Sequence, residues 1–241
     1  MILHTHISGE GEPIMLIHSG GMTGLTEYTE QAEFFSSHNF KVICPDLRGH
    51  GKSVNDTDYF FAHCANDINE TLATLHVDSC HIAGVSLGGL AALLFAKQYP
   101  SKVKSLTFSG IFPKKPDHWE TLMKEEEERF ETLFENEKIV SQLNQMHGKN
   151  NWKVLLRSST QPNWYPFHET GNIGGLAVPA LCIVGGASEL EFSAAVSFKQ
   201  LNPTIHIAII PFAGHLVHRE QPTLYTQTLH TFIETLKQAQ Q

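Results

Sequence analysis

The chain has 241 residues, of which 41% are hydrophobic and 10% aromatic. That length and composition suit one domain with a sizeable buried core and exclude an intrinsically disordered chain. The formal net charge of -8, from 17 Lys+Arg against 25 Asp+Glu, argues against a nucleic-acid binder, which needs a positive footprint.

Met1 to Pro13 is polar, with no basic stretch leading into an apolar one, so no signal peptide is expected there. Met1–Ile7 reads as a strand, turning at Ser8–Pro13 into a second strand over Ile14–His18. Further apolar, β-branched runs follow at Lys41–Pro45, Cys80–Val85, Val103–Phe108, Ala180–Val184 and His206–Ile210. Between them the helical period predicts helices over Thr26–Ser37, Phe60–His76, Leu87–Gln98, Ser193–Leu201 and Gln221–Gln240. Strands that are apolar throughout and alternate with helices point to a mostly parallel, doubly wound α/β sheet covered on both faces.

Ser79–Ala96 carries no charge over a membrane-like length, but His81, Ser86 and three nearby glycines break it into strand, turn and helix. No membrane partner is expected. Cys44, Cys64, Cys80 and Cys182 are scattered, which disfavours a disulfide framework or a cysteine zinc site and suits a reducing cytoplasm.

The alternation lapses once. Pro113 to about Gly174 has no strand signal, only a Lys/Glu-rich helix over Trp119–Ile139 and an aromatic tail. The expected organisation is a core of residues 1–112 and 174–241 with a helical cap over 113–173. Most of the cap's aromatics, Trp119, Phe130, Phe134, Trp152, Trp164, Tyr165 and Phe167, read as packing onto the sheet, with a minority facing a pocket.

The strongest local signal is Gly84-Val85-Ser86-Leu87-Gly88, a G-x-S-x-G stretch between an apolar strand and a helix. A serine on such a strained turn lifts its hydroxyl above the sheet, and the flanking glycines remove side chains that would clash. Ser86 is therefore the expected nucleophile, and it needs a base. Among fifteen histidines, His215 lies on the loop after the last strand, at the sheet edge where Ser86 also sits. His218 is its nearest competitor. The carboxylate that orients the base is expected on the loop after Ala180–Val184, with Glu189 the first choice and Glu191 the reserve. The backbone amides of Leu87 and Gly20 are the expected oxyanion donors. His4-x-His6 has chelating spacing, but no carboxylate or third ligand stands nearby in the sequence, so no metal is expected.

These residues resemble the α/β-hydrolase superfamily. The likeness spans His18-Ser19-Gly20-Gly21, Asp46-Leu47-Arg48-Gly49-His50-Gly51-Lys52-Ser53, Gly84–Gly88 and Gly214-His215. It implies the single-domain, lid-bearing branch of esterases, enol-lactonases and C–C hydrolases, with a helical cap after the family's sixth strand and a structural turn at Asp46–Ser53. The order nucleophile, acid, histidine is met by Ser86, Glu189 and His215. The chain departs from the family at Ser19, which replaces a glycine, and at Gly185-Gly186-Ala187-Ser188-Glu189, where Gly-x-x-Asp is usual. The family's first strand is missing or reduced. Ser86 excludes the Asp-nucleophile haloalkane dehalogenases, and Leu90-Ala91 lacks the arginine expected of the menaquinone-pathway lyase.

The resemblance implies a serine hydrolase acting through an acyl-enzyme on a small, largely apolar ester, thioester or lactone, without a cofactor. Alternatives are a C–C bond hydrolase or lyase using the same three residues, and a non-catalytic ligand-binding homologue.

Overall fold

The protein is described by a computed structural model over residues 1–55 and 60–239. Its sheet is built from β1 (Thr5–Ser8), β2 (Glu12–Ile17), β3 (Phe40–Pro45), β4 (Cys80–Val85), β5 (Val103–Ser109), β6 (Ala180–Gly185) and β7 (His206–Ile210). The order across it is β1-β3-β2-β4-β5-β6-β7, with β1 antiparallel to β3 and the other pairs parallel. Every residue of the central β4 and of β6 is buried, as expected for strands covered on both faces.

Alternation along the strands divides the interior in two. Met15 and Ile17 pack on one side with residues of α3 (Phe60–Thr74), α4 (Leu87–Gln98) and α9 (Glu189–Leu201). Ile14 and Leu16 face the other side, against α2 (Thr29–Ser37) and α11 (Pro222–Gln238). This is the doubly wound α/β arrangement. No helix among the described residues is long and apolar enough to cross a membrane.

Several expected helices differ in extent, the Phe60–His76 helix ending two residues early at Thr74. The Thr26–Ser37 helix divides into α1 (Gly24–Glu27) and α2 at Tyr28. The Trp119–Ile139 helix stops as α5 (Trp119–Glu135), because Asn136 turns out of helical geometry and caps α6 (Glu137–His147) by accepting from the Ile139 amide at 3.2 Å. The Ser193–Leu201 helix begins four residues early at Glu189, since the Ser188 hydroxyl caps it at the Glu191 amide. The last helix ends at Gln238; Gln240, its expected end, lies outside the described residues.

The inserted segment carries α5, α6, α7 (Trp152–Ser159) and α8 (Phe167–Gly171). In this chain it follows the fifth of seven strands, one strand earlier than the expected position after a sixth. The remaining short helix, α10 (Val217–Glu220), joins the His215 loop to α11.

Candidate active site

Ser86 sits between β4 and α4 with φ 54° and ψ -118°, a strained conformation for a residue with a side chain. Its amide donates to the Ser109 carbonyl at 2.9 Å, which ties the turn to the end of β5. A Cβ at Gly84 would collide with the Gly88 carbonyl, and one at Gly88 with that of Ile17. The glycine spacing is thus a packing requirement of this turn.

His215 lies on the loop between β7 and α10. Its ring rests against Gly110, where a Cβ would stand 2.7 Å from Cε1 and 3.5 Å from Nε2. Ser109 therefore holds the Ser86 amide while the next residue holds the imidazole. No hydrogen bond joins Ser86 Oγ to the ring among the described residues. Nucleophile–base contacts commonly tighten only when substrate binds.

The ring's Nδ1–H donates to Glu191 Oε1 at 2.6 Å. This corrects the expectation that Glu189 orients His215. Glu189 opens α9 on the exposed surface, while Glu191, two residues on, turns inward and is 3% exposed. Successive side chains of a helix point about 100° apart, so the early start of α9 decides which glutamate faces the core. The ring reaches solvent, with 48% of its side-chain surface exposed. Burial alone would lower its pKa, but the hydrogen bond and charge of Glu191 outweigh burial and raise it. Glu220 fixes the same loop from α10, accepting from the amides of Gly214 at 2.8 Å and Leu216 at 3.1 Å. Sequence reasoning missed Glu220, whose only signal is its place five residues after His215 and just ahead of Pro222.

The loop after β2 approaches the same point. A Cβ at Gly20 would lie 3.9 Å from the Leu87 side chain, so the two residues adjoin. Leu87 opens α4, where amides have no intrahelical acceptor. The Gly20 amide has no acceptor among the described residues. Its neighbours, by contrast, are firmly held. Ser19 Oγ donates to Glu27 Oε2 at 2.8 Å, and the Ser19 amide reaches the same oxygen at 3.4 Å. Glu27 Oε1 in turn accepts from His218 Nε2 at 2.7 Å, with both side chains fully enclosed. Burial would raise the Glu27 pKa, but the hydrogen bond and charge of His218 hold it below the usual carboxylate range. The serine that departs from the family's glycine is thus the loop's anchor to a buried pair.

Three imidazoles grip the loop from other sides. His18 Nε2 accepts from the Leu47 amide at 2.9 Å while its Nδ1–H donates to the Ser19 carbonyl at 2.7 Å. His50 Nε2 accepts from the Gly21 amide at 3.3 Å, and His147 Nε2–H donates to the Gly21 carbonyl at 3.0 Å. His147, from α6, also accepts from the Gly51 amide through Nδ1 at 3.1 Å, joining the inserted segment to both loops. A ring nitrogen that accepts an amide hydrogen bond carries no proton, so these partners require the neutral form. Burial lowers the pKa of all three accordingly.

The Asp46–Ser53 stretch is structural. Asp46 accepts from the Gly24 and Lys52 amides at 2.9 Å each, and Arg48 grips Asp67 through two hydrogen bonds of 2.7 and 3.0 Å. In the insertion, Trp119, Tyr165 and Phe167 pack mutually edge-on or tilted, and the Tyr165 hydroxyl accepts from the Phe112 amide at 2.6 Å. These three hold the insertion to the segment after β5, whereas Phe130, Phe134 and Trp152, also expected on the sheet, pack on one another within the insertion.

A mostly parallel sheet of this order with a serine turn at its centre defines a class. The chain belongs to the alpha/beta hydrolase fold family, which matches it over residues 12–163. Among curated proteins it is 30% identical over 113 residues to a 2-hydroxy-6-oxo-6-phenylhexa-2,4-dienoate hydrolase of Burkholderia cepacia, a match covering 45% of this chain and 39% of that one. The matched stretch spans 29–39% of the length of the curated relatives it matches first. Among solved structures, a carboxylesterase study of Nitrososphaera gargenis supplies a chain with TM-score 0.81 at 17% identity, over 98% of this chain and 95% of that one. The enol-lactonase of Burkholderia xenovorans superposes with TM-score 0.76 at 18% identity, over 96% of each chain. At those identities the likeness is one of fold.

Proposed function

We propose that this protein is a serine hydrolase that cleaves a small, largely apolar carboxylic ester, thioester or lactone through an acyl-enzyme. The observation that carries the reading is the 2.6 Å bond from His215 to the buried Glu191, on a ring seated beside the strained Ser86 turn. Ser86 Oγ attacks the substrate carbonyl carbon while His215 Nε2 takes the hydroxyl proton. Glu191 holds the Nδ1–H tautomer and stabilises the imidazolium. The tetrahedral oxyanion is received by the amides of Leu87 and Gly20. His215 then returns its proton to the departing alkoxide, thiolate or ring oxygen as the carbonyl re-forms. Water, deprotonated by the same ring, attacks the acyl-serine and releases the acid and the serine.

Ser19, Glu27 and His218 are positioning residues here. They touch no substrate, but they fix the residue before the Gly20 amide. Residues 113–173 form the cap, tied to the oxyanion loop through His147. The four cysteines are unpaired and buried, which supports a reducing, cytoplasmic setting.

A second reading is favoured by the Burkholderia cepacia relative's name: the same residues cleaving a carbon–carbon bond next to a carbonyl. Labelling with a fluorophosphonate tests the nucleophile. Labelling is expected in the parent and lost in Ser86→Ala; persistence in that variant overturns the assignment. Turnover of p-nitrophenyl esters and lactones over a β-diketone-like substrate supports ester chemistry, and the reverse preference supports the second reading.

A further inference from the structure

The His4-x-His6 pair takes no part in that chemistry. Residues two apart along an extended strand face the same side of the sheet, so both imidazoles stand together. Their rings meet edge-on with centroids 4.8 Å apart. The fold brings a carboxylate to them from the end of another strand. β1 runs antiparallel to β3 with Thr5 opposite Pro45 and His6 opposite Cys44, and the Asp46 amide donates to the His4 carbonyl at 2.8 Å. Asp46 is thereby set beside His4. One donor atom from each of His4, His6 and Asp46 lies within 4.8 Å of the other two.

A second observation points to a ligand there. His4 Nε2 is buried and has no hydrogen-bond partner among the described residues, although the rest of the residue is well tied, its amide donating to Ser53 Oγ at 2.9 Å. A buried polar atom left unpaired is costly, and it calls for an explanation. Asp46 is 2% exposed, and each of its oxygens takes a single amide, which leaves a lone pair free on both.

We propose that His4, His6 and Asp46 bind a divalent first-row transition ion of the Zn²⁺ type. Two neutral imidazoles and one carboxylate suit such borderline ions, whereas Mg²⁺ and Ca²⁺ prefer all-oxygen cages. With metal–ligand distances of about 2.0–2.2 Å, the donors must draw together to about 3.3 Å on binding. The Lys52 charge also acts on His6 and opposes a cation, but it is exposed and screened by solvent. The ion's place is structural: it would clamp the first strand to the loop after β3, and it touches no residue of the proposed reaction.

Zn²⁺ titration by calorimetry into the EDTA-treated, dialysed protein tests this. Saturable binding is expected in the parent, with Mg²⁺ giving none. The melting temperature should rise by roughly 3–6 °C per tenfold Zn²⁺ beyond Kd. The His4→Ala/His6→Ala variant should lose both effects while its metal-free fold, read by circular dichroism, persists. His6→Gln alone is the control if the double variant fails to fold, and it should weaken binding at least tenfold. No saturable binding in the parent, binding that survives in the double variant, or an affinity weakened less than tenfold in His6→Gln overturns the proposal.

Discussion

His215 and His218 stand three residues apart, and each imidazole is hydrogen-bonded to a glutamate, Glu191 at 2.6 Å and Glu27 at 2.7 Å. The pairs are chemically alike and differ in what surrounds them. His215 reaches solvent beside the serine turn, which suits the proton exchange proposed for it. His218 and Glu27 are sealed, and Glu27 spends its second oxygen on Ser19. A carboxylate–imidazole pair with an opening is suited to proton transfer; the same pair enclosed is a strut. Access decides the role, and side-chain identity does not.

Glutamine substitutions break this comparison most sharply. Glu191→Gln is expected to lower kcat/KM by on the order of 10³–10⁴, about 4–5.5 kcal/mol of barrier, because the imidazolium loses its partner. Its urea midpoint should change little. Glu27→Gln is expected to cost stability instead, about 3–5 kcal/mol by urea unfolding, since removing one member of a buried pair strands the other. Equal effects of the two on both measurements would erase the distinction drawn here.

Ser19→Gly, which restores the family's residue, should lower kcat roughly tenfold with KM within about twofold, because only the placement of an oxyanion donor is loosened. Parallel changes in kcat and KM would assign Ser19 to ground-state binding instead.

Acidity separates the histidines further. His215 has a raised pKa, so as a base it is neutral only above the ordinary imidazole value of 6.5, and the acid limb of kcat/KM should lie above that value. Glu191→Gln should move the limb downward. For stability the signs oppose. A raised folded pKa contributes stability below 6.5 that is lost as pH rises through the folded value. His18, His50 and His147 have lowered folded values, so their contribution is present above 6.5 and is lost as pH falls below it. His81 and His230 are lowered as well, so the lowered imidazoles outnumber the raised one and the net expectation is a lower urea midpoint at pH 5.5 than at pH 7.5. The smallest expected effect is that of Glu189→Ala, within about twofold on kcat/KM, since that side chain lies on the exposed surface.

Much of the fold was legible because its signals are local. β4 and α4 run over Cys80–Val85 and Leu87–Gln98, the limits their apolar runs and the intervening turn predict. Errors came where a single cap decides an element's start. Ser188 caps α9 four residues earlier than periodicity indicates, and that shift moved the facing carboxylate from Glu189 to Glu191. Ser19 was visible as a departure from a pattern, but its meaning required Glu27, eight residues on, and His218, nearly the whole chain away.

The sequence by itself determined the alternation of strand and helix, the serine turn with its glycines, and the loop that bears His215, because each follows from sterics or burial within a few residues. Only the tertiary structure decided which glutamate meets His215, that a sealed pair anchors Ser19, and that Asp46 stands beside His4. These depend on which distant residues the sheet order and the helix starts bring face to face, and on whether water reaches them. Neither is written in the spacing of residues along the chain.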